Sequence, residues 1–356
     1  MKRFIIIVGT LLCLSSILAE GARYLIITHD NFYNAIQPLA DWKTKKGVLA
    51  KVVPLSVTGS TNTQIKNYIV NAYNTWNPRP EYVLLVGSPD ALPSFPLGSG
   101  GTDSPYADIV GDYKEEVSIG RFFTRNVIEC GIMVAKSINY EKNPPTEDWF
   151  LKGTTIVRED APPDQYYQAD CRYIRNLMLA SGYIQIDSFL STAGNNSSDV
   201  MNAINNGRTY VVYRGQALVQ WWSPFHQVIP ENLTNGFKLP VVVSGSCNTV
   251  TLNPLYYDYL GDKFLRAGTV NNPKGAVGYF GTTLEASGIS QYRSVVTRGV
   301  FNALFNLGMY KMGDAAKKQN GIFMTNIPII KFVIKNGIFS VTQNLISGLQ
   351  FHSKWR

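Results

Sequence analysis

Short, nearly continuous apolar runs alternate along this chain with longer segments whose apolar residues recur at helical spacing. The run Arg23 to Thr28 is apolar and β-branched and closes on the polar turn His29, Asp30, Asn31, as a buried parallel strand does. Residues 32–47 follow with near-helical spacing and end in Lys43, Lys45, Lys46 and Gly47, the basic last turn and glycine stop of a helix. A strand over 48–55, a helix over 63–76 and a strand over 82–86 continue the alternation, the last closing on a turn that carries Gly87, Pro89 and Pro93. A shorter strand at 117–121 and a helix at 127–140 precede Pro144 and Pro145, where no helix continues.

Beyond that break the rhythm restarts, with strands over 153–157 and 183–189 and helices over 166–182 and 198–206. Three more β-branched or aromatic strands, 209–213, 240–244 and 276–280, each end in a glycine-bearing turn. Strands alternating with helices predict an α/β fold with mostly parallel sheets flanked by helices, in two similar subdomains over 20–145 and 146–310. An open sheet of this kind places its chemistry in the turns at the carboxyl ends of its strands.

The ends of the chain read differently. Lys2 and Arg3 precede an apolar stretch from Phe4 to Leu18, and Ala19 and Ala22 suit a small-residue cleavage site. Fifteen apolar residues fall short of the roughly 20 that a spanning helix needs, so residues 1–19 are expected to be a signal peptide, and the mature protein secreted, periplasmic or at the cell surface, without a transmembrane segment. Cys13 lies in this stretch, but the bulk of Leu12 before it argues against a lipoprotein signal. Residues 311–356 form a basic tail whose irregular run, through Pro328 to Arg356, suggests a truncated or frame-disturbed end.

The formal net charge of +8 resides almost wholly in those ends. Lys2 and Arg3 account for +2 and residues 311–356 for +6, which leaves 20–310 neutral and gives no support to nucleic-acid binding. Cys130, Cys171 and Cys247 survive removal of the leader. An odd number cannot complete a disulfide framework, and with only His29, His226 and His352 and no CxxC pair, zinc at its usual spacing is excluded.

At three successive strand ends stand Arg214-Gly-Gln-Ala217, Gly245-Ser-Cys-Asn-Thr249 and Gly281-Thr-Thr283. Together with Tyr82-Val-Leu-Leu-Val-Gly87, Thr102-Asp-Ser-Pro-Tyr-Ala-Asp108, Val117-Ser-Ile-Gly-Arg-Phe122 and Gly275-Ala-Val-Gly278, they resemble the gingipain-type cysteine peptidases from about Arg23 to Leu307. The resemblance implies a caspase-like fold, a peptide or protein substrate, and no required cofactor. It also implies a histidine at one strand end and a cysteine at the next. A thiol of pKa about 8.5 is only a few per cent ionised at neutral pH, so a neighbouring imidazole serves to raise the thiolate fraction and to protonate the leaving amine.

Cys247 matches the family nucleophile in context and order, and Gly215, Gly245 and Asn248 are positioned to form or permit an oxyanion hole of backbone amides. By the same resemblance Glu159 is the acid that orients the histidine, Asp170 lies at the base of the first specificity pocket, and Trp221 borders the substrate groove. Each has a plainer reading: Glu159 as an exposed loop carboxylate, Asp170 as a residue flanking the helix that starts at Tyr166, Trp221 as packing. Asp103, Asp108 and Asp112 crowd into ten residues, a density that suits calcium, although aspartates that cap a solvated turn give the same pattern.

The departure is at Gln216. Where the family pattern resembles Gly-His-Gly, this chain has Gly215-Gln216-Ala217. An amide has no titratable nitrogen near pH 7 and cannot act as general acid or base, steps worth about 10²–10⁴ in rate. His226, ten residues on among Trp221, Trp222 and Pro224, is the histidine that a folded-back loop would bring closest. Two functions stand: a cysteine endopeptidase impaired at its base, and a catalytically inactive pseudopeptidase that keeps the groove for binding.

Overall fold

The apolar runs form two separate parallel sheets. In the first, β1 (Tyr24–Thr28), β2 (Ala50–Pro54), β3 (Tyr82–Val86) and β4 (Ser118–Phe122) lie in the order β2-β1-β3-β4. β1, β3 and β4 are buried along their whole length, which is why they read as continuous apolar runs instead of alternating ones. A computed structural model describes residues 19–97, 100–162, 165–250, 252–253, 258–283, 290–318 and 343–344. The expected signal peptide, apart from Ala19, and most of the basic tail lie outside them.

Helices α1 (Tyr33–Lys45), α2 (Asn62–Thr75) and α3 (Val127–Lys142) flank this sheet. α1 packs Ile36 and Leu39 with Tyr24 and Ile26 on one face, and α2 packs Ile65 and Ile69 with Leu25 and Ile27 on the other. Their starts have local causes. Thr61 and Gln64 form a capping box at α2, and the Asn126 side chain accepts the Glu129 N–H at α3.

The second sheet runs β6 (Gln185–Leu190), β5 (Lys152–Val157), β7 (Tyr210–Arg214), then two strands further along the chain, β10 (Val241–Gly245) and β11 (Gly278–Gly281), all parallel. Between β7 and β10 a short antiparallel hairpin is made by β8 (Ala217–Leu218) and β9 (Trp221–Trp222). β12 (Gln343–Asn344) closes the far edge, antiparallel to β11. Around it lie α4 (Tyr167–Ala180), α5 (Ser197–Asn205), α6 (Leu260–Arg266) and α7 (Ser290–Phe305).

Two expectations change. The hairpin, α6 and α7 were not predicted. The segment assigned to a tail from Lys311 is, at its start, part of the folded body: residues 312–318 are helical, and Met312, Ala315 and Ala316 are buried. Lys311 Nζ donates to Tyr82 Oη at 2.6 Å, and the Asp314 carboxylate accepts from Tyr82 Oη at 3.0 Å and Ser118 Oγ at 2.9 Å, which fastens this segment to the amino ends of β3 and β4.

Candidate active site

Register builds the site. Arg214, the last residue of β7, is paired with Val157 of β5 on one side and Gly245 of β10 on the other. Glu159, Gln216 and Cys247 each follow two residues after that shared level, in the turns at the carboxyl ends of three adjacent strands. Carboxylate, amide and thiol stand in that order. Cys247 is half-buried, whereas Gln216 and Glu159 are exposed.

Turns of low bulk hold this edge together. A Cβ on Gly215 would run into the Tyr213 hydroxyl and come within 2.6 Å of Arg158 Cβ, and one on Gly245 would meet Thr297 Oγ1 and Arg214 Cδ. Ala217 lies in β8 opposite Trp222. Tyr213 Oη lies 2.5 Å from the Gln216 carbonyl oxygen and 2.7 Å from that of Ser223, so one phenol secures both legs of the loop that carries Gln216. Trp222 stacks on Tyr213 with ring centroids 4.8 Å apart. Burial pushes the Tyr213 phenol well up; Tyr167 and Cys247 add to the rise, and the nearby Arg158 and Arg214 oppose it.

Beneath Cys247 runs a chain of buried hydroxyls. Trp222 Nε1 donates to Ser244 Oγ at 3.0 Å, Ser244 Oγ and Ser246 Oγ are 2.7 Å apart, and Thr282 Oγ1 donates to the Ser246 carbonyl. Thr249 Oγ1 is 3.4 Å from Ser244 Oγ. The nucleophile turn is thus anchored to β9, β10 and the turn after β11. Sequence reasoning singled out the three strand ends but missed Tyr213, Trp222 and Ser244 as their connectors; for Tyr213 and Ser244 the only signal was a hydroxyl near the end of an apolar strand.

Asp170 sits inside the fold. Its side chain is fully buried in the first turn of α4; Oδ2 accepts from Arg214 Nε and Ser294 Oγ, both at 2.7 Å, and Oδ1 from Arg298 Nε at 2.6 Å. Arg214, also fully buried, further donates to Gly245 O and to Ser290 O, and lies 5.1 Å from the Tyr167 ring centroid. With two guanidinium groups and a hydroxyl on one carboxylate, Asp170 is neutralised inside the chain and is not poised for a substrate cation. The plainer reading, in which it belongs to the start of the helix, fits.

The three aspartates offered as calcium candidates each have partners within the chain. Asp103 forms a two-point pair with Arg121, at 2.8 Å on each oxygen. Asp108 caps the turn amides of Gly111, Asp112 and Tyr113, and Asp112 pairs with Lys114 at 3.0 Å. Their oxygens are spent on different partners, and among the described residues no group of three or more histidines, cysteines or acids could hold a metal ion. Trp221 is half-buried and its ring centroid lies 4.1 Å from that of His226, the two rings tilted at 52°, so this histidine packs against the hairpin. Cys130 and Cys171 are buried free thiols, and burial pushes Cys130 up to about 12, which leaves Cys247 as the accessible one of the three.

A half-buried thiol on a turn at the carboxyl edge of a parallel sheet, with an acid two strands away, defines the scaffold of a cysteine peptidase with a caspase-like fold. Residues 17–337 match the model of peptidase family C25, and the chain belongs to that family. Gingipain R2 of Porphyromonas gingivalis is 27% identical over 285 residues, which is 77% of this chain and 38% of that protein; gingipain R1 of the same organism is 26% identical over 287 residues. The chain thus spans less than half the length of these relatives. The crystal structure of the Arg-specific cysteine proteinase gingipain R superposes with a TM-score of 0.81 at 22% identity, covering 93% of this chain and 79% of that one, and supports the fold.

Proposed function

We propose that this protein is a secreted cysteine endopeptidase of gingipain type in which Cys247 is the acyl-transfer nucleophile and Gln216 leaves turnover impaired. The reading is supported by membership of the peptidase family together with the shared level at which β5, β7 and β10 end, two residues before Glu159, Gln216 and Cys247 in the chain. The Cys247 thiolate would attack the scissile carbonyl, and backbone amides around Gly245 and Asn248 would receive the developing oxyanion. Departure of the amine then needs a proton that an amide side chain cannot deliver. Secretion rests on the basic, apolar and small-residue order of the first nineteen residues, and no helix among the described residues is long and apolar enough to cross a membrane.

Hydrolysis of a peptide library with basic, acidic and apolar residues before the cut, compared between the protein and Cys247→Ala, tests the proposal. Slow cleavage that disappears in Cys247→Ala is the expected result. Equal rates would overturn it and leave the pseudopeptidase, a binding module on a peptidase scaffold. The internal pairing of Asp170 supports a further expectation, that a basic residue before the cut gains no special advantage.

A further inference from the structure

The first sheet has a crevice of its own, built from different strand ends than those around Cys247. From β1 the chain passes through α1 to β2 on one side, then back through α2 to β3 on the other. The two helices pack on opposite faces, so they part at the carboxyl end of β1, the place where open parallel sheets bind ligands. A cavity of about 370 Å³ lies there, within the range of roughly 300–1,000 Å³ usual for small-molecule clefts.

Its polar groups have a definite sense. Asp30 Oδ2 accepts the Ser56 N–H at 3.1 Å, and hydrogen bonding from Ser56 holds this carboxyl below its ordinary value, so it is ionised at neutral pH with acceptor sites to spare. His29 Nδ1 accepts the Asn31 N–H at 3.2 Å, which places the proton of the neutral ring on Nε2 as a donor. Gln64 Oε1 accepts from Thr61 N and Oγ1, at 3.1 and 3.0 Å, so its amide nitrogen remains to donate. Gly59, at φ +85°, lets the wall close: a Cβ there would come within 2.6 Å of Gln64 Cδ. Ala91 adds an apolar patch, and neither lysine nor arginine lines the space.

An anion would meet Asp30 without a countercharge, and a bare cation would meet two donors. A hydroxyl does both jobs, donating to Asp30 while accepting from His29 or Gln64. We propose that this crevice binds a neutral polyhydroxylated ligand of sugar size, as a free monosaccharide or as the terminal unit of a glycan.

Saturation-transfer NMR on the whole protein with glucose, galactose, mannose, fucose and N-acetylglucosamine, each also as its methyl glycoside, tests this. Spermidine and inorganic phosphate serve as charge controls. Saturable binding of at least one sugar in the millimolar range is expected, weakened about 10-fold by Asp30→Asn and abolished by Ala91→Phe, with thermal unfolding of both variants unchanged. Binding of methyl glycosides as well as free sugars points to a glycan end, and binding of free sugars alone to a monosaccharide. No saturable sugar, tighter binding of spermidine or phosphate, or an affinity unmoved by Asp30→Asn overturns the proposal.

Discussion

Asp170 carries two readings in the sequence, and its hydrogen bonds favour the plainer one. A carboxylate near a strand-end cysteine suggests recognition of a basic substrate, but the buried Arg214 needs that carboxylate first. Removing one partner from such a pair leaves an uncompensated buried charge, so Asp170→Asn is expected to lower stability by about 3–5 kcal/mol in urea unfolding. Arg298→Ala touches the other carboxylate oxygen from a side chain 38% exposed and should lose no more than about 1 kcal/mol. If Asp170 instead served an incoming substrate, its substitution would change KM and leave unfolding unmoved. The partners were not legible in the sequence because they lie 44 and 128 residues away, on β7 and α7. Cys247 was legible because its turn follows an uninterrupted Val241-Val242-Val243 strand.

At the scale of elements, legibility followed burial. β1, β3, β7 and β10 are buried at every position, and their boundaries were read to within a residue or two. α7 was missed because its buried positions include Ser290, Arg293, Ser294 and Thr297, which break the apolar period; Ser290 and Ser294 serve partners more than 120 residues away, and Thr297 bonds back to the Arg293 carbonyl. The β8–β9 hairpin was missed because two residues per strand leave no alternation to read. Trp222 is the element's anchor. Trp222→Phe keeps the stack on Tyr213 but leaves Ser244 Oγ without its indole donor, and a loss of about 1–2 kcal/mol is expected, together with faster proteolysis within 214–226. At the start of α3, Asn126→Ala removes the cap on the Glu129 N–H and should lose about 1 kcal/mol in the same unfolding measurement.

Across the whole molecule the two sheets are tied by buried polar groups. Lys136 of α3 donates to the carbonyls of Phe264 and Leu265 at the end of α6, at 3.2 and 2.7 Å. Nearby, burial pushes the Asp262 carboxyl up to about 8, against the pull of Arg266, Arg125 and Arg121 and with some help from Asp258. The folded state therefore keeps a proton that the unfolded state releases near its ordinary value of 3.8, and this group's contribution to stability falls as pH rises through the window between the two. Asp262→Asn should remove that fall, so its gain over the wild type grows by a few kcal/mol from about pH 4 to about pH 8 and then levels. A constant difference across that range would show that the carboxyl titrates normally. The proposed function has Cys247 as nucleophile on a peptidase-family scaffold, with Gln216 where a base is expected. The most direct measurement is the rate of peptide hydrolysis by Gln216→His combined with Ala217→Gly, set beside the wild type and beside the same double variant carrying Cys247→Ala. The account predicts a gain of about 10²–10⁴-fold in the double variant, abolished when Cys247 is removed. A rate no higher than the wild type, in a protein that unfolds at the same temperature, would contradict it.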